Sequence, residues 1–321
     1  MLSRIRSKLL QPFSNYVTSH EVGDEIKKHK LVSTILVKNE IDIIELAIQH
    51  QLKSGVDYII ATDNMSTDGT FEVLQEYKRQ GVLHLIQEKD QDYSQAKWVN
   101  RMGKIAFDSY DANFIMHTDA DEFWHSEAGN LKYELVKYPL IDAIRVPIKN
   151  VLLAFDDFKE SFPTDSKYIV EHPLISNNLE SDSKINSMFL YEYEPNVLYK
   201  VKHKYREVSA GNHNLLNYKN FLIRKSSDIS VYHFPIRSKK QFFDKVIQGG
   251  KAYERNLALN KSIGWHWRRW YEMHKNNSLE EEYLKLIISP ENFPEWESKG
   301  VLVKVDSILN KISHANNAKE N

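Results

Sequence analysis

From residue 31 onward the chain alternates apolar runs with helical patterns, separated by short polar breaks. Residues 31–38 (LVSTILVK) form a continuous apolar, β-branched run, as expected of a strand buried on both faces. Asn39 and Glu40 end that run. Ile41, Ile44, Leu46, Ile48 and Leu52 then fall at helical spacing, and Gly55 stands where such a helix closes. Residues 56–61 predict a second strand, which leads into a polar loop from Thr62 to Thr70. Residues 71–80 read as a helix ending at Gly81, 82–87 as a third strand and 94–109 as a helix. Residues 114–117 read as a fourth strand, delivering Thr118-Asp119-Ala120-Asp121-Glu122 at its carboxyl end. This alternation, spread over about 100 residues, predicts right-handed crossovers and an α/β fold with a mainly parallel sheet. Ligands of such sheets sit beyond the carboxyl ends of the strands, where residues 38–40, 63–64 and 119–121 all fall.

The second half is less regular. Residues 144–148 predict a strand, 191–204 and 221–233 are strand-like, and 156–182 are polar and aromatic without a clear period. A helix is expected from 239 to near 260, followed by a Trp-rich helical segment over 265–274. The polar residues 314–321 are expected to be disordered, and no internal repeat is visible.

Composition narrows the function classes. With 321 residues and 41% hydrophobic content, the chain can form one large domain or a core domain with an appendage. Lys and Arg (43) balance Asp and Glu (44), so no global field favours nucleic acid. The absence of cysteine excludes disulfide scaffolds and Cys-ligated zinc, and a reducing cytoplasmic compartment is the simpler reading. No stretch approaches the roughly 20 apolar residues of a membrane span. The N-terminus, MLSRIRSKLL, is basic and mildly amphipathic without the apolar core of a secretory signal. It reads either as a solvated chain end or as a peripheral contact with the inner face of an anionic membrane.

Asp119-Ala120-Asp121 carries the sharpest chemistry. Two carboxylates directly after an apolar strand would be costly if buried alone, and a divalent cation removes that cost. Carboxylate oxygens suit Mg2+ or Mn2+, which can bridge to a diphosphate. A phosphotransferase with the first Asp as nucleophile is the rival enzyme, but Phe123 stands where that pattern has Thr or Val. In the loop over 63–70, Asp68 or Thr70 could cap the following helix. Asp63 precedes the turn and could accept from a base or ribose. Glu40 is open between first-turn helix charge and ligand contact. The cluster Trp265-His266-Trp267-Arg268-Arg269-Trp270 could stack on sugars, sit at a membrane interface or pack onto the core, which is the simplest reading.

Lys38-Asn39-Glu40, the run from Asp63 to Thr70, and Asp119-Ala120-Asp121-Glu122-Phe123 together resemble the family 2 glycosyltransferases. The D-x-D-E-F signature is similar to the family 92 (DUF23-type) enzymes. The block from Val231 to Phe242 (VYHFPIRSKKQF), continued by Lys245 and Gly249, resembles the same subgroup. The resemblance covers roughly residues 31–253. It implies a GT-A fold, a mainly parallel sheet flanked by helices with a C-terminal helical extension. It further implies a nucleotide-sugar donor, with UDP the default, a Mn2+ or Mg2+ cofactor and a glycan or lipid-linked acceptor. The Q-x-x-R-W block of processive synthases is not visible, which implies single, inverting transfer of a hexose-type sugar in surface polysaccharide or glycoconjugate synthesis.

By the same resemblance Glu40 and Asp63 would hold the nucleoside, with Asn39 and Asn64 beside them in the donor site. Asp119 would contact the ribose or serve the metal, Asp121 would ligate the metal, and His233 would approach it from the C-terminal side. Arg237 and Lys245 would neutralise the phosphates. His213 is a candidate acceptor-site or diphosphate residue. An inverting transfer needs a base, for which Glu122, Asp156, Asp157 and Glu207 remain open alongside the metal-bound Asp121. The division expected is an extension (1–30), a catalytic domain (31–255, with a nucleotide half 31–125 and an acceptor half 126–255), C-terminal helices (256–313) and a tail (314–321). The rival class is a non-catalytic module that binds nucleotide or glycan on the same fold.

Overall fold

The computed structural model describes residues 19–90, 94–152, 167–174, 188–217, 219–255, 264–288 and 290–313. Helix α1 (Ser19–Lys28) leads into β1 (Leu31–Val37), α2 (Ile44–Lys53), β2 (Tyr58–Asp63), α3 (Thr70–Arg79), β3 (Leu83–Gln87), α4 (Gln95–Tyr110) and β4 (Phe114–Asp119). The second half contains β5 (Glu122–Ser126), α5 (Tyr133–Lys137), β6 (Ala143–Val146), β7 (Ile148–Leu152), β8 (Tyr168–Val170), β9 (Asn196–Lys200), β10 (Ile223–Lys225) and β11 (Ile229–His233). It ends with α6 (Lys239–Arg255), α7 (Trp265–Lys275), α8 (Leu279–Leu286), α9 (Phe293–Ser298), β12 (Leu302–Lys304) and α10 (Ile308–Ser313).

The main sheet has seven strands in the order β10-β6-β9-β4-β1-β2-β3. Its pairings are parallel except where β9 lies against β4 and β6. The chain is therefore a mixed α/β fold with a mainly parallel central sheet flanked by helices. Burial on both faces accounts for the continuous apolar runs. Leu31, Ile35 and Val37 of β1 share one face with Ile59 and Phe114, under Ile44, Leu74 and Leu135 of the helices. Val32, Ile60 and Ile115 point the other way, onto Val99, Met102 and Ala106 of α4. Helix α2 begins at Ile44 instead of residue 41, after a turn in which the Glu40 carbonyl accepts from Ile43 and Ile44.

A second sheet, β12-β8-β7-β11-β5, stands beside the first. The chain crosses between the two sheets at Ala120-Asp121 and again at Pro147. Proline has no N–H for a ladder, so the strand expected over 144–148 divides there, and the Pro147 carbonyl accepts from Val231 N at 2.9 Å. The strand expected over 221–233 also divides, around Ser226, whose hydroxyl accepts from Ile229 N at 2.8 Å.

Val22 of α1 and Ile308 and Ile312 of α10 are buried in the main core, so both helices pack onto the domain. The N-terminal residues 1–18 and the tail 314–321, with their expected membrane contact and disorder, lie outside the described residues. No helix among the described residues is long and apolar enough to cross a membrane. A separate core joins Phe242 and Val246 of α6, Trp270 of α7, and Leu279 and Tyr283 of α8. Within the tryptophan cluster, Trp270 packs there, Trp267 is half-buried and Trp265 is exposed. Close approach of α6 and α7 depends on Gly250, where an added Cβ would lie 2.2 Å from Tyr271 Cγ. Gly250→Ala is therefore expected to destabilise the fold by about 1–3 kcal/mol, as overpacking does. A urea midpoint equal to that of the wild type would contradict this packing.

Candidate active site

Sheet register brings the polar segments together. Leu36 of β1 pairs with Asp119 of β4, and Val37 pairs with Asp63 of β2, so all three strands end on one edge. A cleft of about 420 Å3 opens there. One wall carries Lys38, Glu40, Asn64 and residues 119–122; the other carries Tyr193, His213 and His233 together with α6 and α7. Lys245, Gln248, Gly249, Ala252 and Tyr253 reach it at the spacing of one helical face of α6. Trp267 of α7 lies over Gly249 and completes that side.

The two distant motifs meet by strand pairing. His233 stands opposite Glu122 in the β11–β5 ladder, and Phe234 N donates to the Asp121 carbonyl at 2.9 Å. Asp121 Oδ2 accepts from Lys245 Nζ at 2.8 Å and lies 3.5 Å from Arg237 Nη1, while Asp121 Oδ1 is 4.0 Å from His233 Nε2. Lys245 also reaches Glu40 at 3.1 Å. Burial would raise the Asp121 carboxyl, but Lys245, His233 and Arg237 outweigh it and hold the group well below its usual range. Asp119 has no comparable ion pair among the described residues. Burial and the neighbouring Asp121 push it up to about 7. Burial pulls the His233 ring down to about 4, so it is neutral near pH 7.

The electrostatics leave a deficit. Glu40, Asp42, Asp119 and Asp121 face two cations, Arg237 and Lys245. Two carboxylates and an imidazole nitrogen form a donor set suited to Mn2+ or Mg2+, and a divalent ion there would offset the surplus negative charge. Among the described residues no group of three or more such side chains is already spaced as a metal cage.

Several expected positions take a different part. Arg237 is fully buried, donating to Glu40 Oε2 and, through Nε and Nη2, to Asp42 at 2.7 and 3.0 Å. It is not part of the cleft lining, so the phosphate contact expected of it gives way to a buried ion network behind the wall. The reason is Asp42, which completes a carboxylate set for the guanidinium fork. Glu40 is correspondingly turned to Arg237 and Lys245. Glu122 is a brace: its Oε2 accepts from Asn196 Nδ2 at 2.8 Å, Asp119 N at 3.1 Å and Thr118 Oγ1 at 3.3 Å. Burial and the neighbouring Asp119 raise its carboxyl to about 8.

Asn39, at φ 55°, links loops. It receives Thr67 N on Oδ1 and donates to Gln248 of α6 at 3.0 Å. Asn64 donates to the Glu88 and Asp90 carbonyls and lines the cleft. Asp63 is buried at the strand end, outside the cleft lining; Oδ2 accepts from Ser66 N at 3.2 Å, and Oδ1 has no hydrogen-bond partner among the described residues. Asp68 accepts from Thr70 N and Oγ1, the capping role the loop suggested. His213 lines the cleft beside Gly211, whose φ of 79° and missing Cβ leave room for the ring. Glu207 is exposed and does not line the cleft. Asp156 and Asp157 lie outside the described residues.

Asp42, Asn150, Tyr193, Asn196 and Gln248 were not singled out by sequence. Asp42 alone carries a signal, two positions from Glu40 in N-E-I-D. The others join the site through register and tertiary contacts.

No protein-family profile matches the sequence, and no curated protein matches it. Solved structures do. The chain is similar to residues 1–349 of S. aureus TarS in complex with UDP, at 16% identity, covering 90% of this chain and 81% of that one with a TM-score of 0.40. The same protein in complex with UDP-GlcNAc matches at 17% identity over 84% of this chain and 79% of that one, with a TM-score of 0.39. Glucosyl-3-phosphoglycerate synthase from Mycobacterium tuberculosis, in complex with Mn2+, UDP and phosphoglyceric acid, matches at 16% identity and a TM-score of 0.31. That match covers 41% of this chain and 47% of the synthase. At these scores the likenesses carry no weight for function, which rests on the cleft itself.

Proposed function

We propose that this chain is a GT-A-type, metal-dependent glycosyltransferase that moves a sugar from a nucleoside-diphosphate donor to a hydroxyl acceptor. The observation that carries this reading is the charge deficit around Asp119 and Asp121 in a cleft at the carboxyl edge of the sheet. A divalent ion held by Asp119, Asp121 and the His233 imidazole would compensate it, competing with Lys245 for Asp121. When bound, such an ion supplies Lewis-acid stabilisation of diphosphate oxygens. The protein's own part is separate. Lys245 lines the cleft and would meet a phosphate by exchanging its pairing with Asp121 and Glu40; Arg237 holds Glu40, Asp42 and Asp121 in place from behind. Asp63 Oδ1, without a hydrogen-bond partner among the described residues, is buried at the β2 end outside the cleft lining, and would meet a donor N–H or O–H of the nucleoside only if the strand edge opened. The family 92-like subgroup is favoured by the ladder that joins the H-F-P-I-R block to D-x-D-E-F.

A panel of nucleotide sugars tested for Mn2+-dependent thermal stabilisation, followed by a turnover assay, checks the reading. One donor class is expected to raise Tm with Mn2+ and to be consumed, since a ligand at 100 times its Kd adds about 2.7 kcal/mol. No Mn2+-dependent shift with any nucleotide would sink the proposal. Binding without turnover across diverse acceptors would favour a non-catalytic module.

A further inference from the structure

Asn150 lies on β7, next to His233 in the parallel β7–β11 ladder, and is 2% exposed. Its Nδ2 donates to the Phe189 carbonyl at 2.9 Å and to the Tyr191 carbonyl at 3.2 Å. Only an NH2 group can satisfy two carbonyl acceptors, which fixes the amide orientation. Asn150 Oδ1 is then the atom 2.8 Å from His233 Nδ1, and an oxygen can only accept there. The ring proton is consequently on Nδ1, and in the neutral ring Nε2 carries a lone pair. That nitrogen is the one 4.0 Å from Asp121 Oδ1. The Phe189 and Tyr191 carbonyls belong to the segment that carries Tyr193, whose ring meets His233 edge-on at 5.0 Å.

We propose that Asn150 is the positioning residue of this cleft, holding His233 in the Nδ1–H tautomer with Nε2 bare toward Asp121 while seating the Tyr193 segment against the same ring. It does both through one amide: Asp keeps the acceptor and loses the donors, and Leu loses both. The consequence for cation binding rests on the function proposed above, because the opposite tautomer would aim an N–H at the cation. The tautomer itself does not depend on that reading.

Two-bond 1H–15N spectra of metal-free, full-length protein labelled at histidine test the assignment, with His233 identified by loss of its peaks in His233→Gln. Wild type is expected to show His233 as the Nδ1–H form, Asn150→Asp to retain it, and Asn150→Leu to populate the Nε2–H form. Mn2+ affinity in Asn150→Leu is expected to fall by about 10–100-fold, the usual effect of losing the partner that orients a ligating histidine. A wild-type Nε2–H tautomer, or an unchanged tautomer in folded Asn150→Leu, overturns the proposal. Should Asn150→Leu fail to fold, the wild-type and Asn150→Asp spectra still decide. An Nδ1–H wild type that binds no Mn2+ supports the Asn150 assignment and overturns the metal reading instead.

Discussion

Asp121→Asn is expected to lower Mn2+-dependent sugar transfer by about 10²–10³-fold, the loss seen when one preorganised electrostatic group is removed from a dry site. Mn2+-dependent UDP binding should fall with it. Asparagine keeps the size of the side chain and an acceptor oxygen for Lys245, so the change removes charge with little loss of volume. Arg237 retains Glu40 and Asp42, which keeps the cation behind the wall paired. The variant should therefore stay folded, and circular dichroism checks that it does. Calorimetry with UDP, with and without Mn2+, separates binding from chemistry. Full transfer activity in a folded Asp121→Asn protein would remove Asp121 from the proposed metal role.

Much of the fold was legible in the order of apolar runs, because strands buried on both faces and amphipathic helices leave distinct periods. The four strands from β1 to β4 fall where the pattern puts them, and the carboxyl ends of β1, β2 and β4 carry polar residues that line the cleft. The second half was less legible for physical reasons. Pro147 ends one strand and starts another in a different sheet within one apolar stretch, and periodicity does not reveal which sheet a residue joins. The site divides in the same way. Asp119, Asp121, His233 and Lys245 stand out by type and spacing, and the structure gathers them within one cleft. Arg237 had the right type but the wrong neighbourhood: Asp42, on the approach to α2, captures its guanidinium. The partners of Glu122 and His233 are Asn196 and Asn150, ordinary polar residues on β9 and β7 whose importance comes from register alone.

Arg237→Met tests this division between cleft and support. The arginine touches three carboxylates with no exposed surface of its own, so removing it leaves Glu40, Asp42 and Asp121 short of a buried partner. Breaking a buried ion network from one side costs about 3–5 kcal/mol, and the urea midpoint is expected to fall accordingly. The pH dependence has a definite sign. Asp121 is held below its unfolded value, so its contribution is present above that value, about 3.9 for Asp, and is lost as pH falls through the folded one. Arg237 supports that depression, so the difference between wild type and variant should be widest near neutral pH and narrow below about pH 4. Glu40→Gln combined with Arg237→Met should recover part of the loss, because one stranded charge is gone. If Arg237→Met instead kept wild-type stability and lost only UDP affinity, the guanidinium would belong to the phosphate site, as the motif first suggested, and the buried network would not be its main role.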